Sequence, residues 1–253
     1  MPNTLDLGTT GHQPPAPLGQ VLPALAITTA AALCHWVVEN AKSARAFLKR
    51  VEAEVALAVP LQQMDIRELP RLPKGGQSAG GKPAALSPDA LRPLLQPALD
   101  GHDIGLLSEA GLPAVADPGA PLVRAAHAAG IEVLPFSGPS SLMLALAASG
   151  LNGQSFAFVG YLPQDKSERA QRLRELEAAS RRAAQTQLVI ETPYRNAALL
   201  DALIGSLGPS TQLSISVGLT LPGGFTRTDT VAGWRRQPAE LPLDVPAVFA
   251  FLG

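Results

Sequence analysis

Short apolar runs alternate along the chain with polar segments that are rich in glycine and proline. The clearest run is IGLL at residues 104–107, which is too short for a helix and typical of a buried parallel strand. A small-residue loop and an amphipathic helix that ends at Gly130 follow, and the order of strand, loop and helix then repeats over 131–135 and 142–149. Two such units in succession predict an α/β fold whose ligand-binding loops lie at the carboxyl edge of a parallel sheet.

The same apolar periodicity predicts the remaining elements. Further helices are expected over 21–33, 166–184 and 196–207, and further strands over 35–40, 61–69, 156–161, 187–191, 213–219, 225–231 and 247–252. Another helix is expected to begin at Ser87, and Pro93 and Pro97 are expected to bend or interrupt it. The pattern predicts two α/β domains, residues 1–135 and 136–253, with a small-molecule site in the cleft between them.

Composition narrows the class of protein. The 253 residues are 46% hydrophobic, which argues against disorder, and the net charge of −1 gives no global basic field for nucleic acid. An RNA substrate would therefore depend on a local patch. The single cysteine, Cys34, excludes an intramolecular disulfide and a multi-cysteine zinc site. No apolar stretch approaches the roughly 18–20 residues of a membrane span, so a cytoplasmic protein is expected.

Four strings occur in order between residues 108 and 196, and together they are more specific than any one of them. They are SEAGLPAVADPG, FSGPSSLMLALAASGL, FAFVGYLP and ETPYRN. In this order they resemble the tetrapyrrole methylase superfamily of S-adenosylmethionine (SAM)-dependent methyltransferases. The branch that they resemble most is the ribosomal RNA small-subunit methyltransferase I family.

The resemblance implies SAM as methyl donor, no metal, and a homodimer. The residues that it implies for the SAM site are mostly small or turn-forming: Pro17, Gly19, Ser108, Glu109, Ala110, Gly111, Ser140, Ser141, Leu162, Thr192, Pro193, Pro246 and Ala247. Small side chains leave backbone donors and acceptors open to a ligand. The alternative is that Gly111 and the neighbouring Pro113, Pro118 and Gly119 only shape turns.

Methyl transfer to a hydroxyl requires a general base within hydrogen-bond reach. Glu39, Glu109 and Asp117 are the candidate carboxylates, and cations such as Lys42, Arg45 and Arg195 are suited to RNA phosphates. We favour Glu39 and Lys42 as catalytic residues on the acceptor side. The alternative is an ordinary strand-to-helix turn with solvated charges.

One segment departs from the family pattern, and the role of a second segment is open. The family begins with an apolar strand and a P-T-P-[LI]-G loop, but here only residues 15–19 match the loop, and 4–7 is at most a short strand. Residues 70–88 are rich in Gly, Lys, Pro and Ser, and are either an RNA-contacting lid or simple disorder.

Three functions remain open at this point. The first is O-methylation of ribosomal RNA, at a cytidine 2′-hydroxyl as the family implies. The second is methylation of a small molecule such as a tetrapyrrole precursor, and the third is SAM binding without turnover.

Overall fold

The computed structural model describes residues 1–6, 15–70 and 88–253. Contacts between Cα atoms divide the described chain into two compact units, the first ending at Pro139 and the second running from Ser140 to Gly253. The predicted helix cap Ser87 and nearly all of the segment 70–88 lie outside the described residues. No helix among the described residues is long and apolar enough to cross a lipid bilayer.

The first unit is built on a three-stranded parallel sheet in the order β2-β1-β3. Its strands are β1 (His35–Val38), β2 (Asp65–Glu68) and β3 (Ile104–Leu107), and its helices are α1 (Ala24–Ala32), α2 (Ala41–Glu52), α3 (Pro88–Leu99) and α4 (Ala120–Ala128), with short 3₁₀ turns at Leu18–Gln20 and Leu61–Gln63. In the register of this sheet, His35 lies opposite both Asp65 and Ile104.

Helix α2 shows why this part of the sequence folds as it does. Its buried residues Ala44, Phe47, Leu48 and Val51 follow the three- and four-residue spacing of one helix face. Asn40 caps the helix, because its side chain accepts hydrogen bonds from the N–H groups of residues 42 and 43. The helix therefore begins immediately beyond the carboxyl end of β1.

Pro93 and Pro97 are expected to bend or interrupt helix α3, and they do not interrupt it, because the helix is continuous from Pro88 to Leu99. In a regular helix the Pro93 carbonyl would accept the N–H of residue 97, which proline lacks. The guanidinium of Arg67 in β2 donates to that carbonyl oxygen instead, at 2.7 Å. Burial of Leu91 and Leu95 on the apolar face of α3 holds the helix in place.

The strand predicted at 131–135 does not form. A cavity of about 600 Å³ is lined both by Ile104 and Leu106 of β3 and by residues 131–136, so the segment has no adjacent strand with which to pair. Ile131 and Val133 still pack against the apolar cluster under α3 and α4. These two apolar residues are therefore partly buried, although the segment forms no hydrogen-bonded strand pair within the described chain.

The second unit contains a five-stranded mixed sheet in the order β4-β5-β8-β6-β7. Its strands are β4 (Phe156–Gly160), β5 (Thr186–Ile190), β6 (Gln212–Val217), β7 (Phe225–Thr230) and β8 (Ala247–Leu252), and its helices are α5 (Ser141–Ser149), α6 (Lys166–Ala183), α7 (Asn196–Ser206) and α8 (Val231–Arg236). Strands β4 and β5 are parallel, and β8 is antiparallel to both β5 and β6. The largest buried side chains include Trp234, Phe249 and Phe251.

Candidate functional site

The carboxyl edge of the first sheet brings Glu39 and the loop after β3 together. Strands β1 and β3 pair in parallel with Val38 opposite Leu107, so both chains leave the sheet at the same edge. The N–H of Glu39 donates to the Leu107 carbonyl at 3.1 Å, and the N–H of Glu109 donates to Oε2 of Glu39 at 3.2 Å. The Glu39 carboxylate is thus held over the first turn of this loop.

Asp117 lies close enough to Glu39 for their charges to interact. Burial is the main cause that raises the pKa of Asp117 to about 6, and the charge of Glu39 raises it further. Burial also raises the pKa of Glu39, although the hydrogen bond from the Glu109 N–H opposes the shift. Partly buried carboxyls with raised pKa values are a common feature of functional sites that move protons.

Asn3 is a site residue that no sequence motif singled out. Its side-chain amide is buried and donates to the carbonyl oxygens of Ser108 and Glu109, both at 3.0 Å. Its backbone forms an isolated bridge with Gly111, with an N–H to carbonyl distance of 2.8 Å. Among the described residues 1–6 this bridge takes the place of the short strand expected at 4–7.

Hydrogen bonds within the loop from Ser108 to Gly111, and from the loop to Thr4, hold its backbone in place. The Ser108 hydroxyl donates to the Ala110 carbonyl at 2.9 Å, and the Gly111 N–H donates to the Thr4 carbonyl at 3.4 Å. Within the described part of the chain, the N–H of Ala110 is a backbone donor of this loop without a protein acceptor. That donor is therefore available to a ligand.

Beyond Gly111, the chain adopts several strained backbone angles. Gly111 and Gly119 have positive φ angles of 64° and 132°, which glycine tolerates, so both shape turns. Ala114 and Ala116 also have positive φ, at 66° and 65°, where an alanine is strained. Strain of this kind clusters at ligand-binding loops.

Three further predicted residues of the first unit lie outside the loop after β3: Lys42, Pro17 and Gly19. The exposed side chain of Lys42 belongs to the first turn of α2, just beyond the carboxyl end of β1. The 3₁₀ turn that contains Gly19 is bonded to the segment just after α2, because the N–H groups of Leu18 and Gly19 donate to Glu54 at 2.5 and 3.4 Å. Within the described residues, no hydrogen bond joins this turn to the loop after β3.

In the second unit, one edge of the sheet gathers five of the thirteen residues implied for SAM. Leu162 follows the end of β4 and Thr192 follows the end of β5, and these two strands are parallel neighbours. Ala247 begins β8 and Pro246 directly precedes it, and this strand runs antiparallel to β5 with Val248 opposite Ile190. The Pro246 carbonyl accepts the N–H of Gly218 at 3.0 Å. Thr192, Pro193, Pro246 and Ala247 therefore lie at the same edge.

Glu191, Thr192 and Arg195 form a fixed polar network at this edge. Glu191 Oε1 accepts the Thr192 N–H at 2.7 Å and pairs with the Arg195 guanidinium at 3.0 Å. Arg195 Nε also donates to the Thr192 hydroxyl at 3.1 Å. With Glu191 largely buried, the network fixes both the Thr192-Pro193 turn and the direction of the arginine.

Asn196 is the second site residue that was not predicted from the sequence. It is 1% exposed, and its amide donates to the Val245 carbonyl at 3.1 Å, which ties α7 to the segment before Pro246. Its Oδ1 is a buried side-chain oxygen without a partner among the described residues. A buried acceptor of this kind is costly unless a ligand or water pairs with it.

Ser140 and Ser141 begin helix α5. Ser140 is buried and occupies the N-cap position, but its side chain makes no capping hydrogen bond. The helix that they begin packs through Leu142 and Leu146 in the cluster that contains Leu188 of β5.

Comparisons with known proteins identify relatives over part of the chain. No protein-family model matches it. It is 39% identical over 115 residues to the ribosomal RNA small subunit methyltransferase I of Halalkalibacterium halodurans, which covers 46% of this chain and 38% of that protein. It is 36% identical over 127 residues to the protein of the same name from Vibrio cholerae, which covers 50% of this chain and 43% of that protein. The chain spans about 40% of the length of these relatives.

The resemblance to the ribosomal RNA small-subunit methyltransferase I branch is thereby confirmed over about half of the chain. The fold is similar over most of its length to the crystal structure of the methyltransferase CobJ. The TM-score is 0.53, with 17% identity, over 92% of this chain and 88% of that chain. The α/β fold expected from the motifs is confirmed.

Within the described residues, no group of three or more His, Cys, Asp or Glu side chains is arranged to hold a metal ion.

Proposed function

We propose that this chain is a SAM-dependent methyltransferase of ribosomal RNA. The names of its relatives support the reaction and the substrate class. The observation that carries the proposal is the Glu39 carboxylate, held by the Glu109 N–H beside Asp117 at the carboxyl edge of a parallel sheet. Ligands of α/β sheets bind at that edge, and a carboxylate there can take the proton of an acceptor hydroxyl.

Each unit offers a polar atom without a protein partner among the described residues. The N–H of Ala110 can donate to a ligand oxygen or ring nitrogen, and the buried Oδ1 of Asn196 can accept from an amine. For SAM binding we propose the set of residues that the resemblance implies: Pro17, Gly19, Ser108, Glu109, Ala110, Gly111, Ser140, Ser141, Leu162, Thr192, Pro193, Pro246 and Ala247. SAM supplies an electrophilic methyl group, so the chain has only to bind, orient and accept a proton.

We propose the 2′-hydroxyl of a cytidine as the acceptor. Its oxygen attacks the methyl carbon as the bond from that carbon to the sulfonium sulfur breaks, which leaves neutral S-adenosylhomocysteine (SAH). The hydroxyl proton goes to Glu39, whose raised pKa suits it to holding that proton. Lys42, exposed at the start of α2, would bind an RNA phosphate. We also propose that the enzyme works as a homodimer and that its domains are residues 1–135 and 136–253.

The first experiment is calorimetric titration of the whole chain with SAM and with SAH. Gly111→Trp should abolish binding, because the residue has φ +64° and an added Cβ would lie 3.4 Å from Leu5. The matched control is Gly153→Trp, where φ is not positive and no atom lies within 4 Å of an added Cβ. Failure of the unaltered chain to bind either ligand would refute the proposal.

The second experiment measures transfer of labelled methyl groups from SAM to deproteinised small-subunit RNA. A 2′-O-methyl product resists alkaline cleavage at the modified nucleotide, so alkaline hydrolysis identifies the acceptor atom. Turnover on a tetrapyrrole precursor but not on RNA would favour the small-molecule enzyme. SAM binding without turnover on either acceptor would favour a protein that binds SAM only.

A further inference from the structure

The chain contains two tyrosines, and both lie at the same edge of the second sheet. Tyr161 follows the last residue of β4 directly, and Tyr194 is in the 3₁₀ turn that follows β5. Because β4 and β5 are parallel neighbours, their carboxyl ends leave the sheet side by side. We call Tyr161, Tyr194 and the adjoining Arg195 the tyrosine platform.

Both tyrosine rings are unusually exposed for aromatic side chains. Tyr161 is 59% exposed and Tyr194 is 67% exposed, whereas Trp234, Phe249 and Phe251 of the same unit are fully buried. The core of this unit therefore contains aromatic side chains, but the two tyrosines are not among them. Large aromatic rings left exposed at one edge of a sheet are a feature of binding surfaces.

Arg195 gives the platform a fixed cation. Its guanidinium carbon lies 5.5 Å from the centroid of the Tyr194 ring. The ion pair with Glu191 at 3.0 Å and the bond to the Thr192 hydroxyl at 3.1 Å hold it in that direction. A preorganised guanidinium beside an aromatic ring can stack on a base or bind a phosphate.

We propose that the tyrosine platform stacks an unpaired base of the RNA. The inference rests on the proposed function, since it takes RNA as the substrate. Recognition of RNA relies on unstacked bases laid on aromatic rings and arginine planes. Stacking also suits a chain with a net charge of −1, which has no broad basic field with which to hold the phosphate backbone.

The test is fluorescence anisotropy of a labelled single-stranded oligoribonucleotide from the small-subunit RNA, with calorimetry of SAM on the same protein preparations. Tyr161→Ala and Tyr194→Ala should each weaken RNA binding about tenfold, because a base loses its aromatic partner. Tyr161→Phe and Tyr194→Phe should stay within about twofold, because the ring is kept. The affinity for SAM should not change in any of the four.

Phe156→Ala is the matched control, since Phe156 is 38% exposed and begins β4 at the opposite edge. It should bind RNA as the unaltered chain does. A second measurement needs no substitution: an oligonucleotide with 2-aminopurine as the unpaired base should lose fluorescence on binding, because stacking quenches it.

The outcomes separate this inference from the proposed function. Alanine variants that bind RNA normally, an unaltered chain that does not bind RNA, or 2-aminopurine without quenching would each overturn the platform. An equal loss of SAM affinity in the alanine variants would overturn it too, by assigning the rings to the cofactor. Selective loss of RNA binding without methyl transfer by the unaltered chain would support the platform and refute the enzyme.

Discussion

The side-chain amide of Asn3 donates a hydrogen bond of 3.0 Å to the carbonyl oxygen of Ser108, across 105 positions of sequence. The same amide also bonds the Glu109 carbonyl. Asn3→Ala leaves both carbonyls without this donor, so we expect the free energy of unfolding to fall by about 1–3 kcal/mol. Because the loop after β3 loses its support, SAM should also bind more weakly. Urea unfolding and calorimetry would measure the two effects.

Asn3→Asp is the matched control for that substitution. It keeps the size of the side chain and the acceptor for the Thr4 N–H, but it replaces the donor with a carboxylate that faces two carbonyl oxygens. We expect it to be at least as destabilising at pH 8 as Asn3→Ala. Normal SAM affinity in both variants would show that the loop does not depend on Asn3.

The raised pKa of Asp117 makes stability depend on pH. Burial and Glu39 raise this pKa from 3.8 to about 6, so the folded chain holds its proton more tightly than the unfolded chain does. Stability should therefore be highest below pH 4 as far as this group is concerned, and should fall as pH rises through 6. Asp117→Asn should stabilise the chain at pH 8 by about 1 kcal/mol, a figure reduced for the partial exposure of the group.

Urea unfolding of both proteins at pH 5, 6, 7 and 8 would check this. The difference between Asp117→Asn and the unaltered chain should grow with pH and level off above pH 7. A constant difference, or one that grows as pH falls, would contradict the burial of this carboxyl.

Glu39→Gln tests the proposed general base. Its side-chain oxygen can still accept the Glu109 N–H, so the loop should keep its position, but it cannot take a proton. We expect kcat for methyl transfer to fall by about 10²–10⁴-fold with little change in KM for SAM. Glu109→Gln is the comparison. A loss of this size in Glu109→Gln, with kcat unchanged in Glu39→Gln, would assign the general base to Glu109 instead.

The hydrogen bond from Arg67 to the Pro93 carbonyl predicts an energetic coupling with Pro97. Arg67→Leu should destabilise the chain by about 1 kcal/mol, because the carbonyl loses its donor. In a Pro97→Ala background the loss should be smaller, because residue 97 then has an N–H for the same carbonyl. A double-mutant cycle by urea unfolding measures the coupling, and strictly additive effects would exclude it.

Local apolar patterns predicted most of the elements well. The strands at 104–107 and 247–252 have the predicted bounds, and α6 ends at Ala183, one residue before its predicted end. In each case the apolar residues are buried in the way that the pattern requires. Burial is decided by side chains that lie within the segment itself, so the sequence of the segment is sufficient.

The errors arise where the deciding partner is distant in sequence. Residues 131–135 have the apolar content of a strand, but they pair with no strand among the described residues, and they line a cavity together with β3. Pro97 breaks a helical hydrogen bond that Arg67, thirty positions away, replaces. Asn3 and Asn196 act through carbonyls of remote segments, and a lone asparagine carries no pattern that would single it out.

Strand β8 comes last in order along the chain, yet it lies in the middle of its sheet, between β5 and β6. Until Ala247–Leu252 have been synthesised and have left the ribosome, β4 with β5 and β6 with β7 are two separate strand pairs, each with an open edge. Folding of this unit therefore has to wait for its last strand. A ribosome that stalls before Ala247 would release a chain whose open edges pair with other chains, rather than a shorter protein that works.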